Sequence, residues 1–212
     1  MNMRVLTARA ALAGICCISL LSGCASSGQE ADQNGAEYAG NADGQAEAEK
    51  EEAPGKITSL GVFSMQDLTG KEYTNEMFRD YDLTMINVFT TWCTPCVNEI
   101  PDLEVLHTQM ADKGVNIAGV VLDAIGEDGE IDAQAVERAR LLAERTGASY
   151  PFLIPDEGWL NGRLYGIEAV PETFFVDRDG KIVGNTYSGS HSFEEWEEIV
   201  EAQMDTLKGE QQ

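Results

Sequence analysis

Positive charge is scarce in this chain: 14 Lys and Arg stand against 37 Asp and Glu, a formal net charge of −23 over 212 residues. A surface of that sign repels phosphate backbones, which excludes nucleic acid as a partner. Histidine is scarcer still, with His107 and His191 alone. They lie far apart and without finger spacing, so zinc bound at a Cys-x-x-Cys would lack its remaining ligands and no metal is expected. No internal repeat, phosphate-binding loop or Ser-His-Asp set is found. The apolar stretch at residues 10–21 is too short to span a bilayer comfortably.

What that stretch does resemble is an export signal, with Arg4 and Arg9 as its positive flank. Leu21-Ser-Gly-Cys24 follows and resembles the lipobox of bacterial lipoproteins. The resemblance implies cleavage after residue 23 and a diacylglyceryl thioether on Cys24, which anchors the chain with about 0.8 kcal/mol for each buried CH₂. The plainer alternatives are a secreted protein cut near Ala25 and an uncut signal anchor. Of the five cysteines, Cys16 and Cys17 leave with the signal and Cys24 is consumed by lipid, so only Cys93 and Cys96 remain. The exported part therefore has no disulfide framework and one dithiol free to cycle. Losing Arg4 and Arg9 but no acid takes the charge from −23 to about −25. Residues 24–56 are rich in Gly, Ala, Ser, Gln, Asn and Glu and cannot bury enough surface to fold, which makes them an acidic tether with a reach of about 30 Å. Residues 57–207 have the size of one domain, and residues 208–212 read as a frayed tail.

The centre of that domain is the stretch Asn87-Val-Phe-Thr-Thr-Trp-Cys-Thr-Pro-Cys-Val-Asn-Glu-Ile-Pro101. Residues 83–89 are an almost unbroken apolar run of strand length, as in a parallel strand covered on both faces. Val97, Ile100, Leu103, Leu106 and Met110 then recur at helical spacing. Pro95 suits the first turn of that helix, and Pro101 is expected to kink it. A thiol at a helix N-terminus faces unbonded N–H groups and the positive end of the dipole, which favour the thiolate and lower its pKa from about 8.5 to roughly 3.5–7.5. Cys93 is thus the expected nucleophile and Cys96, a turn further in, the resolving thiol. Trp92 is expected to shield the pair. His107 falls beside the apolar stripe and reads as a half-buried histidine.

Trp92-Cys-Thr-Pro-Cys96, with Glu99 and Pro101 after it and Val170-Pro171-Glu-Thr-Phe-Phe-Val176 downstream, resembles the extracytoplasmic thioredoxin-like proteins of the TlpA/ResA family. The resemblance covers about residues 58–205. It implies an α/β, thioredoxin-like fold: a central mixed sheet flanked by helices, with an N-terminal β-hairpin and an inserted β-α unit. Pro171 matches the family's cis-proline opposite the cysteines, so Val170 and Pro171, with Trp92, Thr94 and Pro95, form the expected substrate-contact set. Asn87 stands where cytoplasmic thioredoxins have a buried aspartate, and it cannot ionise. Glu99 matches the glutamate that ResA-like members carry beside their cysteines; buried, it would exchange a proton with Cys96, and solvated it would be an ordinary helix residue.

The activity implied is thiol-disulfide exchange without a cofactor, by a monomer on the outer face of the cell membrane. It reduces disulfide-bearing exported proteins, in cytochrome c maturation or in support of methionine sulfoxide reductases, and a membrane thiol carrier resets it. The competing readings are a dithiol oxidase and a binding module that keeps only the fold. A peroxidase is disfavoured because Pro-x-x-x-Thr/Ser-x-x-Cys needs a leading proline and Ile86 stands there.

Elsewhere, residues 60–73 read as a hairpin with residues 67–70 at its turn, Asn75 as the cap of a short helix, and residues 115–122 as a strand. Asp132 caps a helix that Gly147 ends. Residues 150–154 form a short strand and residues 159–165 a short helix. Residues 173–176 and 181–184 are antiparallel strands, and Ser192 with Glu195 makes a capping box for the last helix.

Overall fold

The computed structural model describes residues 57–210. The expected signal peptide, the Cys24 lipidation site and the tether lie outside them. Strands β1 (Ser64–Asp67), β2 (Glu72–Thr74), β3 (Leu83–Phe89), β4 (Val115–Val121), β5 (Phe152–Ile154), β6 (Glu172–Asp177) and β7 (Ile182–Ser188) alternate with helices α1 (Thr94–Met110), α2 (Ala133–Thr146) and α3 (Phe193–Glu210). They form one mixed sheet in the order β2-β1-β5-β4-β3-β6-β7. β3, β4 and β5 run parallel, joined by α1 and α2, as parallel neighbours require a crossover. β6, β7 and the β1–β2 hairpin run antiparallel.

Every residue of β3 and β4 is buried, as their almost unbroken apolar runs predict. Alternation divides β3 between two cores. Leu83, Met85 and Phe89 join Ile100, Leu103 and Leu106 of α1, Ala139 of α2 and Trp196 and Val200 of α3. Ile86 and Val88 face the other side, where Leu60, Phe63, Phe78, Leu160 and Leu164 cover the sheet. Among the described residues all three long helices thus lie on one face, and irregular chain closes the other. β4 pairs with both β3 and β5 near the middle of the sheet. Gly119 on β4 is required there: a Cβ would come within 3.0 Å of Phe89 and 3.2 Å of Phe152, whose rings pack edge to face at 5.0 Å.

Three expectations change. The short 3-10 turn at Asn75–Phe78 is capped by Thr74, whose hydroxyl accepts from the Glu76 N–H at 3.3 Å, and not by Asn75. Residues 159–165 are not a right-handed helix: Trp159, Leu160 and Asn161 have φ of 49°, 52° and 55°. That left-handed run costs about 1–2 kcal/mol per residue. It is held by Asp156, which accepts from the Trp159 and Leu160 N–H groups, and it delivers Leu160 and Leu164 into the second core. α1 runs through Pro101 to Met110, as its apolar stripe predicts. α3 continues to Glu210, past the point where fraying was expected.

Candidate active site

α1 starts just beyond the carboxyl end of β3, so the two cysteines sit where ligands bind in open α/β sheets. Cys93 is the N-cap: its backbone is extended and its sulfur accepts from the Cys96 N–H at 3.3 Å. The sulfur therefore occupies the place of a capping oxygen, at the end of the helix where negative charge is favoured. Cys93 and Cys96 are joined by a disulfide (Sγ–Sγ 2.07 Å). Cys93 is 6% exposed and Cys96 1% exposed, so the first sulfur is the outer one.

Two tethers fix the surroundings. On the N-terminal side, Asp123 accepts from the Thr91 N–H at 2.9 Å and from its hydroxyl at 2.6 Å, while Arg138 Nε of α2 donates to the same hydroxyl at 2.9 Å. Asp123→Ala leaves the buried Thr91 donors unpaired and is expected to cost about 1–3 kcal/mol in urea unfolding. On the opposite side the Val170–Pro171 bond is cis, and the Val170 carbonyl oxygen lies 3.5 Å from Cys93 Sγ. Arg163 holds the start of β6 through Glu172 at 2.9 Å, its guanidinium 4.2 Å above the Phe174 ring. Pro171 is buried and Val170 half-buried, whereas Thr94 and Pro95 are exposed. Trp92 is 70% exposed, so the indole does not seal the sulfurs but offers an apolar face to solvent beside them.

Glu99 is 2% exposed, which settles the burial its sequence position left open. It lies three residues after Cys96 on the buried face of α1, where side chains at this spacing have Cβ atoms about 5–6 Å apart. Its Oε1 accepts from the His191 N–H at 2.8 Å and from Trp196 Nε1 at 2.7 Å; its Oε2 accepts from Asn87 Nδ2 at 3.2 Å. Burial pushes the Glu99 carboxyl above its ordinary value, and these donors pull against that shift. Asn87 also donates to Thr173 Oγ1 at 3.0 Å, across the β3–β6 ladder. His107 packs 5.9 Å from Tyr150, and burial holds its imidazole below the ordinary value. His191 instead packs 4.6 Å from Trp196.

The structure thus brings Cys93, Cys96, Val170 and Pro171 together, with Trp92, Thr94 and Pro95 exposed in the same turn. Trp196 was legible only as a core residue, although a buried indole N–H needs an acceptor and so points to a buried polar partner. Thr173, Asp123, Arg138 and Arg163 carried no signal in the sequence, because their roles depend on which strands and loops become neighbours.

Comparison with known proteins follows the same geometry. The profile of the AhpC/TSA family matches residues 59–184. The thiol-disulfide oxidoreductase ResA of Bacillus thuringiensis subsp. konkukian is 28% identical over 138 residues, covering 65% of this chain and 72% of that protein. The thiol:disulfide interchange protein DsbE of Haemophilus influenzae is 30% identical over 141 residues, covering 66% and 70%. Among solved structures, a thioredoxin family thiol:disulfide interchange protein of Chlorobium tepidum TLS superposes with a TM-score of 0.57 at 23% identity, over 72% of this chain and 99% of that one. StoA of Bacillus subtilis gives 0.51 at 22%, over 67% and 98%. These two likenesses speak to the fold.

Proposed function

Because the chain belongs to the AhpC/TSA family and is a thiol-disulfide oxidoreductase of the ResA and DsbE type, we propose that it works outside the cytoplasm, held to the membrane through lipid on Cys24, as a reductant of exported proteins. The observation that carries the direction is Glu99, fully buried one turn from Cys96. A carboxylate in that position disfavours a second negative charge on the inner sulfur, so the reduced pair gives up its electrons readily.

In the first step the Cys93 thiolate attacks a client disulfide. A Cys93–client S–S bond forms, the client's own S–S bond breaks, and the departing thiolate takes a proton from solvent. Cys96 then loses its proton to Glu99 and attacks the Cys93 sulfur. The intramolecular disulfide forms, and the second client sulfur leaves with the electron pair and is protonated in turn. Two electrons pass from the dithiol to the client, and a membrane thiol carrier returns two by the same exchange in reverse. Trp92, Thr94 and Pro95 form the rim on which the client rests, and the Val170 backbone pairs with its extended segment.

A peroxidatic role for Cys93 finds no support. The leading proline it requires is Ile86, which pairs with Ala118 on one side and Phe174 on the other in the middle of the sheet, a position that does not admit proline. Equilibration of the full-length protein with reduced and oxidised glutathione tests the direction. A potential below the cytosolic glutathione range of about −220 to −260 mV is expected, and one near −120 mV would make the protein an oxidase.

A further inference from the structure

The two oxygens of Glu99 are held unequally. Oε1 receives two short N–H bonds, from the His191 backbone at 2.8 Å and the Trp196 indole at 2.7 Å, whereas Oε2 receives one long bond from Asn87 at 3.2 Å. A carboxylate oxygen has two in-plane lone-pair sites. On Oε1 both are taken by donors that have no acceptor lone pair to offer in return. A proton arriving at Oε1 must displace one of them, and one arriving at Oε2 need not.

We propose that Trp196 and the His191 N–H reserve Oε1, so that the proton taken from Cys96 is carried on Oε2, and that Trp196 is a positioning residue for this transfer. The inference rests on the proton exchange between Glu99 and Cys96 proposed above. In the step, the Cys96 S–H bond breaks, an O–H bond forms at Oε2 and the electron pair stays on sulfur. The proton takes the second lone-pair site of Oε2, so Asn87 keeps its Nδ2 bonds to Oε2 and to Thr173 Oγ1. The Oε1 pair acts as a pivot that does not change between the two protonation states. α3 is thereby coupled to the dithiol: the indole that fills the core between α1 and α3, at 0% exposure, also sets which oxygen is free to react.

The charged and titratable groups that face Glu99 from the packed elements are few. Cys96 lies on α1 and His191 on the approach to α3, its Nδ1 3.9 Å from the exposed Glu195 carboxylate, which points to solvent and not to Glu99. Tyr150 lies beside β5, and its phenol is pushed well above the ordinary range by burial first and the Glu99 charge second. β3 and β6 contribute the neutral Asn87 and Thr173.

The test uses the disulfide-bonded full-length protein, in which neither Cys93 nor Cys96 titrates. The Glu99 carboxyl is followed by carbon NMR, identified by its loss in Glu99→Gln. Trp196→Phe keeps an aromatic ring in the core but removes one donor to the charged form, so the Glu99 titration should move upward by about one pH unit or more. If phenylalanine unfolds the domain, benzothienylalanine at 196 supplies the same shape without the N–H. The shift must persist in a His191→Asn background, which retains the backbone donor. In the unaltered protein, protonation of Glu99 should move the Asn87 side-chain amide signals while the Trp196 indole proton stays protected from exchange. An unmoved titration in both position-196 variants, or an indole proton that loses protection as Glu99 takes its proton, overturns the proposal. Failure of the underlying reading shows elsewhere: Glu99→Gln would leave the pH dependence of Cys96 alkylation in the reduced protein unchanged.

Discussion

Cys93→Ser is expected to lower disulfide-exchange turnover by on the order of 10⁴-fold or more, as removal of a nucleophile does, with little change in the fold around it. The reason for the second half of that expectation is local. Position 93 is the N-cap of α1, and serine is among the preferred capping residues, so the hydroxyl can accept the Cys96 N–H that the sulfur accepts now. Its oxygen does not ionise at neutral pH and cannot attack a disulfide. Cys96→Ser is expected to behave differently. The outer thiolate remains, attack on a client or model disulfide proceeds, and the mixed disulfide accumulates because no inner sulfur is left to resolve it. Mass spectrometry of the full-length variants with a disulfide-bonded peptide reads both outcomes. Turnover that survives Cys93→Ser, or a Cys96→Ser protein that forms no adduct, would remove the chemistry and leave only the fold. Non-reducing gels of membrane fractions carrying Cys96→Ser then identify clients by their covalent attachment.

Much of this site is legible in the sequence, because its parts are local. An apolar run of strand length, a Cys-x-x-Cys with proline between, and an apolar stripe at helical spacing place both sulfurs at a helix start within one continuous stretch. The capping box at Ser192 and Glu195 is equally local, and both its bonds form, at 2.8 and 3.3 Å. What the sequence leaves out comes from distant pairings. Trp196 stands 97 residues from Glu99 and Thr173 86 from Asn87, and no periodicity connects them. The left-handed run at Trp159–Asn161 departs from the expected helix for a related reason. The apolar spacing of Leu160 and Leu164 fits a helix, but the Asp156 carboxylate and carbonyl take the first N–H groups and turn the chain the other way. Nor does the apolar pattern of β3 reveal that helices cover only one of its faces. A buried strand reads the same whether helix or loop lies over it.

The position of Asn87 permits the sharpest electrostatic prediction, because a single atom changes the sign of its contact with Glu99. Asn87 Nδ2 donates to Glu99 Oε2 at 3.2 Å inside the core, both residues being 2% exposed. Asn87→Asp replaces that donor by an acceptor and sets two carboxyls against each other where neither can be hydrated. Both cannot ionise without leaving a buried, unbalanced charge, which costs about 3–5 kcal/mol. The sign follows from proton binding. Glu99 already has its carboxyl raised by burial, and the second acid raises the pair further, so the folded variant holds a proton over a pH range in which the unfolded chain has released it. Stability is therefore greatest below the unfolded carboxyl values of about 4 and is lost as pH rises through the folded ones. Urea unfolding of the disulfide-bonded protein should show Asn87→Asp within about 1 kcal/mol of the parent at pH 5 and less stable by about 3 kcal/mol at pH 8. Adding Glu99→Gln to Asn87→Asp restores one acid and one amide in the same contact with their places exchanged, and most of the alkaline loss should return as a favourable coupling. A loss that is the same at every pH, or a double variant no more stable at pH 8 than Asn87→Asp alone, would mean that the amide is held by Thr173 and the β3–β6 ladder and that its bond to Glu99 is incidental.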